Sequence, residues 1–206
     1  MSKYISLPLY KAFFPVSVDG SGDDTLLQDS IEWAEGEFER MAGSQFNQQS
    51  LVNEQPQRAW VDRNNIVTLI AKTVGPVTAV TSVQYLIPRV TAWQTVTWDS
   101  ANGIFVPSTD APPRPEAWVV EIVPTSIMMQ QVAADNIRFR WSYTGGYATT
   151  PTQLQMILFR MAFWKYKLRE APLGKVAVPP MAITEVIPDL PTDIKTDINL
   201  WRRQAF

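Results

Sequence analysis

The side chains that most often carry catalysis or hold metals are missing from this chain of 206 residues, which has no histidine and no cysteine. Without histidine there is no imidazole base, no imidazole metal ligand, and no Ser-His or Cys-His nucleophile. Without cysteine there are no disulfides and no thiolate-bound metals, so redox compartment cannot be read from cysteine usage. Carboxylates remain. Two acids whose pKa values are driven apart can cleave a glycosidic bond unaided by histidine, and Glu116, Glu121 and Asp135 are the candidates, although no spacing singles them out. Gly20, Gly22, Gly145 and Gly146 match neither nucleotide-binding fingerprint, because the strand–glycine–helix spacing is missing. Trp93, Trp98, Trp118 and Trp141 lie in or beside expected strands. Exposed indoles there would make sugar platforms, and a carbohydrate- or ligand-binding β module is the alternative reading; buried ones would be core or interface anchors, the commoner case. The expectation is a chain that is not an enzyme, with no catalytic residues, no cofactor and no metal.

The bulk numbers point the same way. Hydrophobic residues make up 46% and charged residues only 18%, so the chain is globular and part of its surface is expected to be covered by partners. A net charge of −2 argues against a binder that grips nucleic acid through a dense basic face. No apolar run reaches the about 20 residues of a membrane span. The N-terminus lacks a continuous apolar signal core, so the protein is expected to be made and used without export.

Several elements are needed to organise these residues. Residues 1–22 read as an extended arm, since Pro8 and Pro15 restrict the backbone and residues 19–22 are turn chemistry. A helix over 23–43 follows, with Leu27, Ile31, Ala34, Phe38 and Met41 on one stripe and Gly43 as its stop. Glu32, Glu35, Glu39 and Arg40 are expected on its solvated face. Residues 57–143 read as a β insert of short antiparallel strands: 59–61, 66–70, 77–86, 95–98, 104–106, 118–123 and 137–143. The segment 107–115 holds four prolines and must be a loop.

The helix over 152–169 carries two apolar stripes. Leu154, Ile157, Leu158, Met161 and Leu168 form one; Met156, Phe159, Phe163 and Tyr166 form the other. One stripe needs one partner surface, and two must be covered on both sides. Residues 171–191 contain five prolines and are expected to be stiff and extended along a surface. Pro191 opens a last helix, with Ile194, Ile198 and Trp201 on one stripe. The fold class expected is α+β: a helical part of two long helices plus a C-terminal helix, an antiparallel β insert, and extended N- and C-terminal arms. The domains are an arm at 1–22, a core at 23–169, and an extended segment with a C-terminal docking helix at 170–206.

The order of these parts resembles the head–tail connector (adaptor) proteins of long-tailed bacteriophages, over roughly residues 23–203. The likeness is carried by the first helix closing on Met41-Ala-Gly-Ser-Gln-Phe46, and by Gly75-Pro-Val77 leading into Val80-Thr-Ser-Val83. It is carried also by Trp98-Asp-Ser-Ala-Asn-Gly103-Ile-Phe, and most strongly by Tyr143-Thr-Gly-Gly-Tyr147, Pro151 and the helix bearing Ala162-Phe-Trp164. A Leu190-Pro191 helix ending in Trp201-Arg-Arg203 completes it. The β portion looks longer than in the smallest connectors. The resemblance implies a structural virion protein, made in the host cytoplasm and resident in the neck. It would be a ring subunit, typically in twelve copies, between the portal and the tail, stopper or tail-terminator protein. Double-stranded DNA would pass through the axial channel without specific binding, and no membrane would be involved.

Two site expectations combine the residues with that reading. A ring needs a heterologous interface, and Phe159, Phe163 and Tyr166 on the second stripe are expected to be buried by a neighbouring subunit. Trp201, Arg202, Arg203 and Phe206 are expected to dock on the portal. The rival expectations are that the sheet covers the second stripe within one subunit and that the tail folds back on its own body.

Overall fold

The structure, a computed structural model, describes residues 3–13, 21–88, 90–106, 111–113, 115–125, 137–170 and 189–202. The chain divides into two compact units: Met1–Gly43 with Thr150–Arg202, and Ser44–Thr149 with Arg203–Phe206. The first is helical and the second is built of strands, so the α+β class holds.

The helical unit contains α1 (Leu7–Phe13), α2 (Ser21–Ala42), α3 (Thr152–Glu170) and α4 (Thr192–Asn199). Leu27, Ile31, Ala34, Phe38 and Ala42 recur at helical spacing on α2, and all five are fully buried. Each large member contributes about 1.5–3 kcal/mol by leaving water. The helix stops where expected: Gly43 takes φ +71°, a left-handed conformation that side chains resist, and its N–H bonds Glu39 O at 2.8 Å. α1 replaces part of the extended arm expected over 1–22. Pro8 falls in its first turn, where a missing N–H costs nothing.

The sheet unit holds two four-stranded antiparallel sheets. One has the order β1 (Gln49–Glu54), β8 (Arg138–Gly145), β4 (Val77–Leu86), β5 (Gln94–Thr95). The other runs β2 (Arg58–Val61), β3 (Val67–Ile70), β7 (Val119–Ile122), β6 (Ile104–Phe105). On β8 the alternation is clean: Phe139, Trp141 and Tyr143 are buried while Arg138 is exposed. The Tyr143 ring stacks on Trp141 with centroids 4.2 Å apart, and its hydroxyl donates to Glu54 Oε2 at 2.8 Å. Burial first, and then the Glu54 carboxylate, push this phenol well above its usual pKa. In the second sheet Trp118, just before β7, is fully buried; its Nε1–H donates to Ser44 Oγ at 3.1 Å and its ring meets Phe46 edge-on.

The Tyr143–Tyr147 stretch has a local explanation. Gly146 takes φ +85°, and a Cβ there would lie 2.3 Å from Asn47 O. That close approach lets the chain run beside residues 46–48, with Tyr147 N–H bonding Phe46 O at 2.7 Å and Gln48 N–H bonding Tyr147 O at 3.2 Å.

Candidate assembly surfaces

The residues that could have done chemistry are scattered. Glu116 is exposed in the 3-10 turn Pro115–Trp118, Glu121 is exposed on β7, and Asp135 lies outside the described residues. Solvated carboxylates lack the contrasting environments that separate an acid from its base. Among the described residues no group of three His, Cys, Asp or Glu is placed to hold a metal ion, and no helix is long and apolar enough to cross a membrane. The sugar-platform expectation fails for two of its four indoles, because Trp118 is 0% and Trp141 1% exposed. Trp98 is half-buried, and so is Trp93, over whose ring the Arg140 guanidinium sits at 4.3 Å. These are anchors, as the commoner reading had it.

The second stripe of α3 is largely covered by its own chain. Phe159 is 2% and Tyr166 6% exposed. The cover is α1: the Tyr10 ring meets Phe159 edge-on at 5.9 Å, and Phe13 stacks on it at 4.9 Å. The physical reason is that the arm is helical and amphipathic, so it supplies the partner face that the sequence seemed to lack. Phe163 stays half-buried, with Lys167 Nζ 5.7 Å from its ring. Of the three residues, then, Phe163 alone retains substantial open surface.

The segment before α1 is tied down by an unexpected residue. Glu35, assigned from the sequence to the solvated face of α2, is only 4% exposed. Its carboxylate accepts backbone N–H bonds from Lys3 at 2.8 Å, Tyr4 at 2.9 Å and Ile5 at 3.1 Å. Glu39 adds the Lys3 ammonium at 2.9 Å and the Tyr4 hydroxyl at 2.7 Å. The available signal was Glu35's place directly beside Ala34 and four residues after Ile31, on the shoulder of the buried stripe.

The proposed docking tail divides into three. Trp201 is 1% exposed and packs edge-on against Phe38 at 6.2 Å, so its indole belongs to the core of the helical unit. Arg202 is exposed. Arg203 and Phe206 lie outside the described residues, as does the stiff segment over 171–188. Arg160 on α3 binds α4 through Asp193 and, at 2.6 Å, Asp197.

Open apolar surface appears at places the sequence did not announce. In the helical unit Leu9 and Phe13 on α1, Leu26 on α2 and Met156 on α3 are exposed. They share one region: Phe13 stacks on Phe159, Met156 is one turn from Phe159, and Lys11 pairs with Asp24 two residues before Leu26. In the sheet unit Phe105 is 66% and Val123 49% exposed. Phe105 pairs with Glu121 across β6 and β7, and Val123 N–H bonds Gly103 O, so all three side chains share one face at the sheet corner. Trp60 lies in the same cross-strand row at the other edge, paired through Thr68 to Glu121, and is exposed too.

No family model and no curated protein matches the sequence. Solved structures match the fold. One is in the neck of an empty gene transfer agent particle computed with C6 symmetry: TM-score 0.50, 14% identity, covering 98% of this chain and 91% of that one. Another is in the virion of a native gene transfer agent particle: TM-score 0.51, 14% identity, with the same coverage of both chains. This chain therefore has, over nearly its whole length, the fold of a chain in such a neck.

Proposed function

We propose that this protein is a structural subunit of the neck of a phage-like particle, forming a homo-oligomeric ring that joins the portal to the tail and leaves a channel for genomic DNA. The observation that carries this reading is the end-to-end fold likeness to a chain from a particle neck, covering 98% of this chain and 91% of that one. The connector-like order of motifs supports it independently. So does the apolar surface left open on both units, since monomers seldom leave such clusters uncovered. The copy number follows the resemblance, at twelve. Its partners are the portal on one side and the tail, stopper or tail-terminator protein on the other. Arg202, Arg203 and Phe206 are assigned to the portal contact, and Phe163 to the contact between subunits.

Electron microscopy of the purified protein, alone and mixed with portal rings, tests the proposal. Annular particles with a central hole are expected, at least on the portal template. Monomers that neither form rings nor bind portal under any condition would overturn it.

A further inference from the structure

We infer that the β6–β7 corner of one subunit docks on the α1 region of the next, with Phe105 as the anchor and Glu121 facing Lys11. The inference rests on the ring reading and names the two surfaces that would close it. Phe105 and Val123 form an apolar pair on one face, with Glu121 opposite Phe105 in the register. Glu121 has no ionic partner among the described residues. An apolar anchor beside an unpaired carboxylate calls for a partner that is apolar with a cation at its rim.

Charge decides among the occupants. If a two-fold related copy covered the corner with the same corner, it would set Glu121 against Glu121, which like-charge repulsion disfavours. A contact between two copies of the acidic helix α2 meets the same objection, since α2 carries seven Asp and Glu residues against Arg40 alone. The α1 region is the complementary surface in this chain. It exposes Leu9 and Phe13 and carries Lys11, 40% exposed and sharing Asp24 as its partner. The two patches differ, so the contact is head-to-tail, and repeating it about an axis yields a closed ring.

The absence of cysteine makes the test clean. A Leu9→Cys, Phe105→Cys double variant, oxidised during assembly, is expected to give a ladder of covalent multimers on a non-reducing gel, while each single variant stays at background. Both positions are exposed, so folding is retained, which circular dichroism checks. Phe105→Glu should raise the concentration needed for rings by about tenfold or more. Wild-type rings without a ladder would overturn the surface and leave the ring reading intact, and so would disulfides confined to monomers. Phe105→Glu rings that form normally but lose portal or tail binding would assign the corner to that partner instead. No rings from the wild type, alone or on portal, would remove both proposals together.

Discussion

The two ends of the chain are fastened to the helical unit by opposite means. Residues 3–5 are held by a buried carboxylate that accepts three main-chain N–H bonds. The last helix is held by apolar side chains, with Ile194, Ile198 and Trp201 at 4%, 1% and 1% exposure. Its ion pairs through Arg160 lie at the surface, where the Asp193 side chain is 66% exposed. A buried charge-assisted hydrogen bond is worth about 1.5–3 kcal/mol, and a solvated ion pair about 0.2–1 kcal/mol. The N-terminal tie is therefore electrostatic in substance, whereas the C-terminal one only looks electrostatic.

That contrast can be broken in order of size. Trp201→Ala should cost about 3–5 kcal/mol by opening a cavity against Phe38, measured by urea denaturation. Glu35→Ala leaves three buried donors without their acceptor and should cost about 3 kcal/mol. Hydrogen exchange should then quicken at Tyr4 and Ile5 while the α2 core stays protected; loss of protection throughout would show that residues 3–13 are not a separable element.

Alkali gives the next effect. The Tyr10 phenol is pushed up to about 12 by burial first and then by Tyr166, against about 10 in the unfolded chain. Above pH 10 the unfolded state loses the proton that the folded state keeps. This stability is complete below pH 10 and declines through pH 12 by about 1.4 kcal/mol per pH unit. Tyr10→Phe should flatten the decline, and an unchanged slope would refute the assignment. Smallest of all, Arg160→Ala should cost less than about 1 kcal/mol, with a modest shift in urea midpoint that shrinks in high salt. A loss as large as that for Trp201→Ala would reverse the ranking of the two ties.

Much of the fold could be read from residue order because local pattern and tertiary role agreed. The α2 stripe, its stop at Gly43, and strands β2, β3, β4 and β8 fall close to where periodicity placed them. Strand β1 was missed because Gln49, Ser50, Asn53 and Glu54 are polar and its apolar Val52 faces water at 76% exposure, as an edge strand permits. Helix α1 was missed because Pro8 and Pro15 were read as extended backbone, although a first-turn proline is compatible with a helix. The assembly surface suffered most from this. With α1 expected as an extended arm, Phe159 and Tyr166 looked uncovered, while Phe105, in a two-residue strand, gave no periodic signal at all. Aromatic content announces that something must be covered; only the placement of α1 decides which residue is left over.

One feature of the sheet unit has an engineering consequence. The unit is inserted between α2 and α3, and its two ends are stitched together where Phe46 O receives the Tyr147 N–H and Tyr147 O receives the Gln48 N–H. Entry and exit strands thus leave through a single doorway. Such a cartridge can be lifted out as a free-standing domain, or rejoined by a few residues and reopened elsewhere as a circular permutant, without stretching either stump.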